Sequence, residues 1–271
     1  MTFQQPFDPL DASLIQQYCL HHHGLRPFDV QILSSTDSTN RYLKDYPFKQ
    51  QAVLCCAETQ TQVRGRLGRV WYSPPGVNIY CSIRVPSTQP PAQLTALSLV
   101  IALSIVETFQ SLHIDAPIQI KWPNDVYWHD QKLGGILIET RQDHAGLSYL
   151  IIGIGLNINL EHDHVAHHAL DRPWCSLLEI TRRRWNRNQI ISSIFHHCLL
   201  YVQQYCDKGF EPFVALWQKV DWLYKKNIDI ALPSQIITGT VLGVSNLGLL
   251  KIQDSNKQVH LVTSGDIKLT R

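Results

Sequence analysis

Four short segments of this 271-residue chain gather side chains suited to chemistry on anions. In Arg64-Gly65-Arg66-Leu67-Gly68-Arg69, arginines at spacings of two and three alternate with glycines. Glycine lets a backbone approach a ligand and expose its amides, and each guanidinium is a planar fork of donors for phosphate or carboxylate. A solvated basic loop would have the same spacing. In Lys121-Trp122-Pro123-Asn124-Asp125-Val126, Pro123 ends a strand and sets an amide beside a carboxylate, as a nucleotide or its magnesium ion would need. Asn and Asp also simply make turns. Lys132 precedes Leu133-Gly134-Gly135, where glycines open a path to its amine, although a lysine at a loop edge is also ordinarily solvated. Ser38-Thr39-Asn40 offers donors and acceptors together, which suits a neutral polar group such as a urea, or an N-cap, or both.

The elements that must position these segments are readable from caps and periodicity. Asp8, Pro9 and Asp11 precede Leu10, Leu14, Ile15 and Tyr18 at helical spacing, with Gly24 to close, which predicts a helix of roughly four turns capped at Asp8. Strands are expected over 30–33, 52–57, 78–85, 118–122 and 149–158, with a hairpin of 126–128 and 133–139 about an Asp130-Gln131 turn. Helices are expected from the polar turn 34–40 to Tyr46, over 93–113, and over 189–205. Beyond 222 the pattern becomes short strands only, 227–269, punctuated by glycines: a small all-β module of ~45 residues, read as a barrel. The division is a domain over 1–222 and a second over 223–271.

In order along the chain, these segments resemble the biotin–protein ligase family. The resemblance runs through Asp37-Ser38-Thr39-Asn40, Ala57-Glu58-Thr59-Gln60, RGRLGRVWYSPPG over 64–76, KWPNDVYWHDQKLGGILIE over 121–139 and IIGIGLNIN over 151–159. It ends in 217–221 and Ser264-Gly265-Asp266. It implies an α+β fold: a catalytic domain similar to class II aminoacyl-tRNA synthetases, followed by an SH3-like barrel. It also implies a two-step reaction, in which ATP activates biotin as biotinyl-5′-AMP and a lysine of a biotin carboxyl carrier protein then takes the biotin.

By that match, Lys132 and Arg64 are catalytic. Ser38, Thr39, Asn40, Gln60, Arg64, Gly65, Arg66, Lys132 and Gly135 bind biotin. Arg66, Arg69, Trp71, Lys121, Asn124, Asp125 and Asn157 face ATP, whose Mg2+ could touch Asp125. Family members commonly carry glycine where this chain has Val63. A β-branched residue avoids positive φ, so the loop is expected to be extended there or to order differently over the adenylate. A lipoate or octanoyl ligase on the same scaffold and a biotin-responsive repressor are the alternatives.

Composition narrows the classes. Lys+Arg 24 against Asp+Glu 22 leaves +2, which gives nucleic acid no overall footprint, and only 37 residues precede Ser38, so no DNA-reading domain and no DNA partner are expected. The longest greasy stretch, 94–106, is shorter than the ~20 residues that span a bilayer, so no membrane partner is expected. Seven cysteines with no C-x-x-C pair, and no signal peptide, fit a reduced cytoplasmic compartment. A homodimer stays open. His21-His22-His23 and the cluster Glu161, His162, Asp163, His164, His167 and His168 read as solvated rather than metal-binding. Arg182-Arg183-Arg184 with Arg187 reads as a solvated turn.

Overall fold

A computed structural model describes residues 8–20, 27–47, 50–62, 72–142, 148–162, 173–232 and 235–270. Seven strands form the larger sheet: β1 (Phe28–Leu33), β2 (Ala52–Ala57), β3 (Ile79–Ser87), β4 (Ile118–Lys121), β5 (Asp125–Trp128), β6 (Gln131–Gln142) and β7 (Ser148–Leu156). Their spatial order is β1-β2-β3-β7-β6-β5-β4. β1 and β2 run parallel and the remaining neighbours antiparallel, so the sheet is mixed.

Alternation decides which side chains go to which face. Leu54, Ile83, Ile152 and Ile154 point into the main core. There they meet α1 (Ala12–Leu20), α3 (Leu97–Ser111) and α5 (Arg187–Lys208). α3 is apolar almost all round and is buried accordingly; its two core hydroxyls bond back to the helix, Ser104 to Ile101 O and Thr108 to Ser104 O. On the opposite face, Val53, Cys55 and Ile151 pack under Leu43 of the short α2 (Thr39–Asp45). Two more short helices are α4 (Leu177–Thr181) and α6 (Val214–Val220), the latter against α3 and β4.

The C-terminal part is a five-stranded antiparallel sheet of β8 (Asn227–Ala231), β9 (Ile236–Val244), β10 (Leu250–Gln253), β11 (Val259–Val262) and β12 (Asp266–Leu269), ordered β11-β10-β9-β8-β12. The strand pattern expected over 227–269 is therefore present, bounded by the same residues. Its core is continuous with that of the larger sheet. Gly248, at φ 76, lies so close to α3 that a Cβ there would stand 2.4 Å from the Ala96 Cβ, and Gly248 O accepts from Trp122 Nε1 at 3.2 Å.

Several sequence expectations need correction. The first helix begins at Ala12, not behind Asp8: Asp11 Oδ1 accepts from the Ser13 and Leu14 amides. Asp8 and Pro9 precede it, held by α5 instead. The 93–113 helix is two pieces, a tight turn over Pro91–Leu94 and then α3. Trp128 pairs with Gln131, so the hairpin turns on His129-Asp130, with His129 left-handed at φ 49.

Arg187 is not solvated. It is 2% exposed, and its guanidinium reaches Glu58 at 2.7 Å, Asn78 O at 3.2 Å and Asp8 O at 2.8 Å. The same Glu58 accepts from the Leu10 amide at 2.7 Å, and Asn188 grips Pro9 O and the Asp11 amide, each at 3.0 Å. The buried pair thus ties the N-terminal segment, the end of β2 and the start of α5 together.

Asp221 is a second buried charge, at the junction of the two sheets. Its Oδ1 accepts from the Leu223 amide at 2.9 Å, while its Oδ2 has no partner within hydrogen-bond distance among the described residues. Burial pushes this carboxyl above its ordinary value.

Two outcomes follow. Arg187→Ala strands Glu58 and should cost about 3–5 kcal/mol, read as a lower urea midpoint. For Asp221, a folded-state value raised above the unfolded one means the burial penalty is absent at low pH and grows as pH rises through that interval. Urea unfolding of Asp221→Asn and the parent should therefore show the difference shifting in favour of the variant from pH 4 to pH 7.

Candidate functional site

The site is built on the α2 face of the large sheet. Register places Lys121, Asp125, Gly135, Gly155 and Tyr80 in one row across β4, β5, β6, β7 and β3. The next row on the same face is Leu137, Gly153, Ser82 and Cys55. Where β6 and β7 adjoin, three of the four positions are glycine and the fourth is Leu137, so the floor there is nearly bare of side chains. Asn40 lies on it: a Cβ on Gly153 would stand 2.4 Å from Asn40 Oδ1. Lys132 lies on it too, its Nζ 3.3 Å from where a Gly135 Cβ would be. Gly135 pairs with Gly155, which makes Gly153 its diagonal neighbour, about 7–8 Å away. The amine and the carboxamide therefore occupy adjoining floor positions.

The Ser38-Thr39-Asn40 segment opens α2 and stands against Gln60. Ser38 occupies the N-cap position in extended backbone, but its hydroxyl makes no capping bond. Gln60 Oε1 accepts from the Thr39 amide at 2.8 Å and lies 3.2 Å from the Thr39 hydroxyl. Gln60 is steadied by Ser73, whose Oγ accepts from its amide at 2.9 Å. Because a backbone amide can only donate, the carboxamide of Gln60 must turn its oxygen to Thr39 and its Nε2 away.

Lys132 Nζ donates to Asp125 Oδ1 at 2.7 Å, with the side chains 23% and 14% exposed. The Lys132 backbone is fixed by the Pro173–Cys175 segment, its N donating to Pro173 O and its O accepting from the Cys175 amide. Asn124 braces the same turn, with Nδ2 on Ile136 O at 2.8 Å and its own carbonyl accepting from the Ile136 amide at 3.0 Å. Lys121 shares the Asp125 row, its Nζ 5.4 Å from the Tyr127 ring centre and 5.2 Å from that of Trp222. Asn157 stands apart: it is 5% exposed, with Nδ2 on Cys175 O and Oδ1 accepting from Asn78. Arg64, Gly65, Arg66, Arg69 and Trp71, and with them Val63, lie outside the described residues.

Residues that the sequence did not nominate complete the network. Asn40 Nδ2 donates to Glu139 Oε2 at 2.7 Å, Lys44 Nζ meets Glu139 Oε1 at 2.5 Å, and Ser82 Oγ lies 2.6 Å from Asn40 Oδ1. The available signal was the carboxylate that ends the apolar Ile136-Leu137-Ile138 run.

Among the described residues no group of three or more His, Cys, Asp or Glu is placed to hold a metal. Of the histidine-rich segment, Glu161 pairs with Arg184, and His162 bonds Glu179 and stacks on Trp174; 163–168 and His21-His22-His23 lie outside the described residues. Thiol chemistry is disfavoured as well. Burial pushes Cys19 up to about 11 and Cys175 and Cys198 up to about 12. No helix among the described residues is long and apolar enough to cross a membrane.

Comparison with known proteins gives this constellation a lineage. Residues 32–157 match the biotin/lipoate A/B protein ligase family. The chain is 31% identical to the bifunctional ligase/repressor BirA of Salmonella typhimurium over 93% of its own length and 76% of that protein's. It is 29% identical to the biotin–[acetyl-CoA-carboxylase] ligase of Mycobacterium tuberculosis over 96% of this chain and 95% of that one. Its fold superposes on the Aquifex aeolicus biotin protein ligase, solved in complex with biotin and ATP, with a TM-score of 0.76, 28% identity, and coverage of 90% of this chain and 99% of that one. The mixed sheet and the separate five-stranded antiparallel sheet, the latter consistent with an SH3-like part, thus match the fold of a biotin ligase. The chain belongs to the biotin–protein ligase family.

Proposed function

We propose that this ligase joins biotin to a carrier lysine in two steps on the α2 face. In the first, the biotin carboxylate oxygen attacks the α-phosphorus of ATP, and pyrophosphate leaves as biotinyl-5′-AMP forms. In the second, a lysine amine of the carrier attacks the acyl carbon, the amide forms, AMP leaves with the bonding electrons, and the amine gives up a proton. The carrier is a biotin carboxyl carrier protein of acetyl-CoA carboxylase. The seven free thiols suit a reducing, cytoplasmic setting.

One observation carries this reading: the Lys132 ammonium and Asn40 of the Thr39–Gln60 wall lie over adjoining glycines of one floor. Bringing a carboxylate to a triphosphate sets like charges together, so a fixed cation between them is the central requirement. In our reading Lys132 is that cation, and Arg64 and Arg66, with Gly65 between them, add donors to the biotin and phosphate end. Gln60 Nε2 donates and the Thr39 oxygen accepts, which complements a urea's carbonyl and N–H; Ser38 and Asn40 complete that wall. Gly135 gives the carboxylate room beside Lys132. Arg69, Trp71, Lys121, Asn124 and Asp125 would face the nucleotide, and Asn157 would support that side by bracing the Pro173–Cys175 segment through its side-chain amide.

The described residues do not fit a dedicated magnesium site. Asp125 is the one carboxylate at this place, and its Oδ1 already takes the Lys132 ammonium. Magnesium would arrive on the nucleotide's own phosphates, and no step is assigned to it.

Mass spectrometry of a biotin carrier domain incubated with the protein, biotin and MgATP tests the reading: one biotin on one lysine is expected, and an unmodified carrier with no pyrophosphate released would refute it. Lys132→Ala should lower pyrophosphate release about 10- to 100-fold, since a charge-assisted bond is worth about 1.5–3 kcal/mol. Gly153→Ala drives a methyl into Asn40, so biotin affinity measured by calorimetry should fall at least about fivefold, the equivalent of one hydrogen bond of about 1 kcal/mol.

A further inference from the structure

Asn40, Ser82 and Thr39 form a buried chain of hydrogen bonds whose direction is set from one end. Asn40 Nδ2 faces two acceptors, Glu139 Oε2 at 2.7 Å and Leu137 O at 3.3 Å. A carboxylate and a carbonyl can only accept, so the amide nitrogen must lie on that side and Oδ1 on the other. Oδ1 stands 2.6 Å from Ser82 Oγ, and Ser82 Oγ stands 2.7 Å from Thr39 Oγ1. Ser82 has one proton for two neighbours, and Asn40 Oδ1 cannot donate in return. The proton therefore goes to Asn40. The Thr39 hydroxyl is then left to donate within the wall, to Ser82 Oγ or to Gln60 Oε1 at 3.2 Å, and keeps lone pairs for an incoming N–H.

Ser82 is wholly buried, and Thr39 and Asn40 are 3% and 5% exposed, so water cannot readily reverse this order. The far end of the chain is charged. Lys44 Nζ sits 2.5 Å from Glu139 Oε1 and lies one helical turn beyond Asn40 on α2. Glu139 thus holds two points of α2, Asn40 and Lys44, the first of which belongs to the wall.

We propose that Glu139, backed by Lys44, is a positioning residue for biotin: through Asn40 and Ser82 it makes the Thr39 oxygen an acceptor for the ligand's ureido N–H. This rests on the assignment of the Ser38–Gln60 wall to biotin. Glu139→Gln is the discriminating change, because a carboxamide in its place can donate as well as accept. Asn40 then keeps only the longer bond to Leu137 O, at 3.3 Å, to fix its orientation; when it turns over, the Ser82 proton is released to Thr39.

The test is steady-state pyrophosphate release by the full chain, with biotin and ATP each varied, after calorimetry has established biotin uptake by the parent protein. Glu139→Gln is expected to raise KM for biotin at least fivefold while leaving kcat and KM for ATP within twofold. A structural role alone would reduce the active fraction and lower kcat at unchanged KM, and that result overturns the proposal. Should Glu139→Gln not fold, Lys44→Gln decides: it is expected to raise KM for biotin at least threefold, with Lys44→Arg returning it towards the parent value. An unchanged KM in Lys44→Gln then refutes the proposal. A parent chain that takes up no biotin refutes the functional reading itself. Biotin uptake with an unchanged KM in Glu139→Gln refutes the positioning role alone.

Discussion

A polar side chain can lie flat on a β-sheet only where the strand beneath it projects nothing. That steric condition governs the α2 face. Gly153 and Gly135 leave room for Asn40 and Lys132 respectively. A methyl at position 153 would lift the Asn40 amide away from Ser82, whereas one at position 135 would displace the Lys132 amine by only a few tenths of an ångström. The opposite face obeys the reverse condition. There Ile83, Ile152, Ile154 and Leu156 fill the space under α3 and α5, and each buried aliphatic contributes about 1.5–3 kcal/mol. A greasy layer makes the sheet rigid enough for a sparse layer above it to hold direction as well as distance.

How much of this was legible in the chain depended on the range of the interaction that decided each feature. β2 was placed at its observed limits, 52–57, because a short apolar run between polar turns has few other uses. The C-terminal sheet was bounded as a whole at 227 and 269, but its strands were not placed one by one, and Gly239 and Gly243, read as punctuation, lie inside β9. The first helix was placed too early because Asp8 and Asp11 are equally good caps locally. The choice between them was made by Glu58, Arg187 and Asn188, which take the backbone of residues 8–11. Glu58 and Arg187 are 129 positions apart, a separation that no local pattern encodes. In the same way Lys132 and Asp125 were nominated singly, but their ion pair depends on the register of β5 on β6, which shifts between Val126 and Tyr127.

The junction of the two sheets shows how a small β module gains support from a larger neighbour. The Trp222 amide donates to Ile120 O, Trp122 donates to Gly248 O, and Gly248 presses against α3. Trp222 also receives two lysines, Lys121 at 5.2 Å and Lys226 at 3.3 Å from its ring centre. Desolvation lowers Lys226 below the ordinary lysine range, against the opposing pull of Asp130 and Asp221. Lys121 belongs at once to the Asp125 row and to this stack, so the module's first residues share a wall with the polar face.

The clamp on the N-terminal segment has a mechanical side. Asp8 and Leu10 bond to Arg187 and Glu58, and Glu58 lies two positions before Gln60 on a continuous backbone. The first described residues are therefore held at once by the start of α5 and by a carboxylate two positions from the glutamine that fixes Thr39, so one end of the polar wall and the N-terminal segment share an anchor.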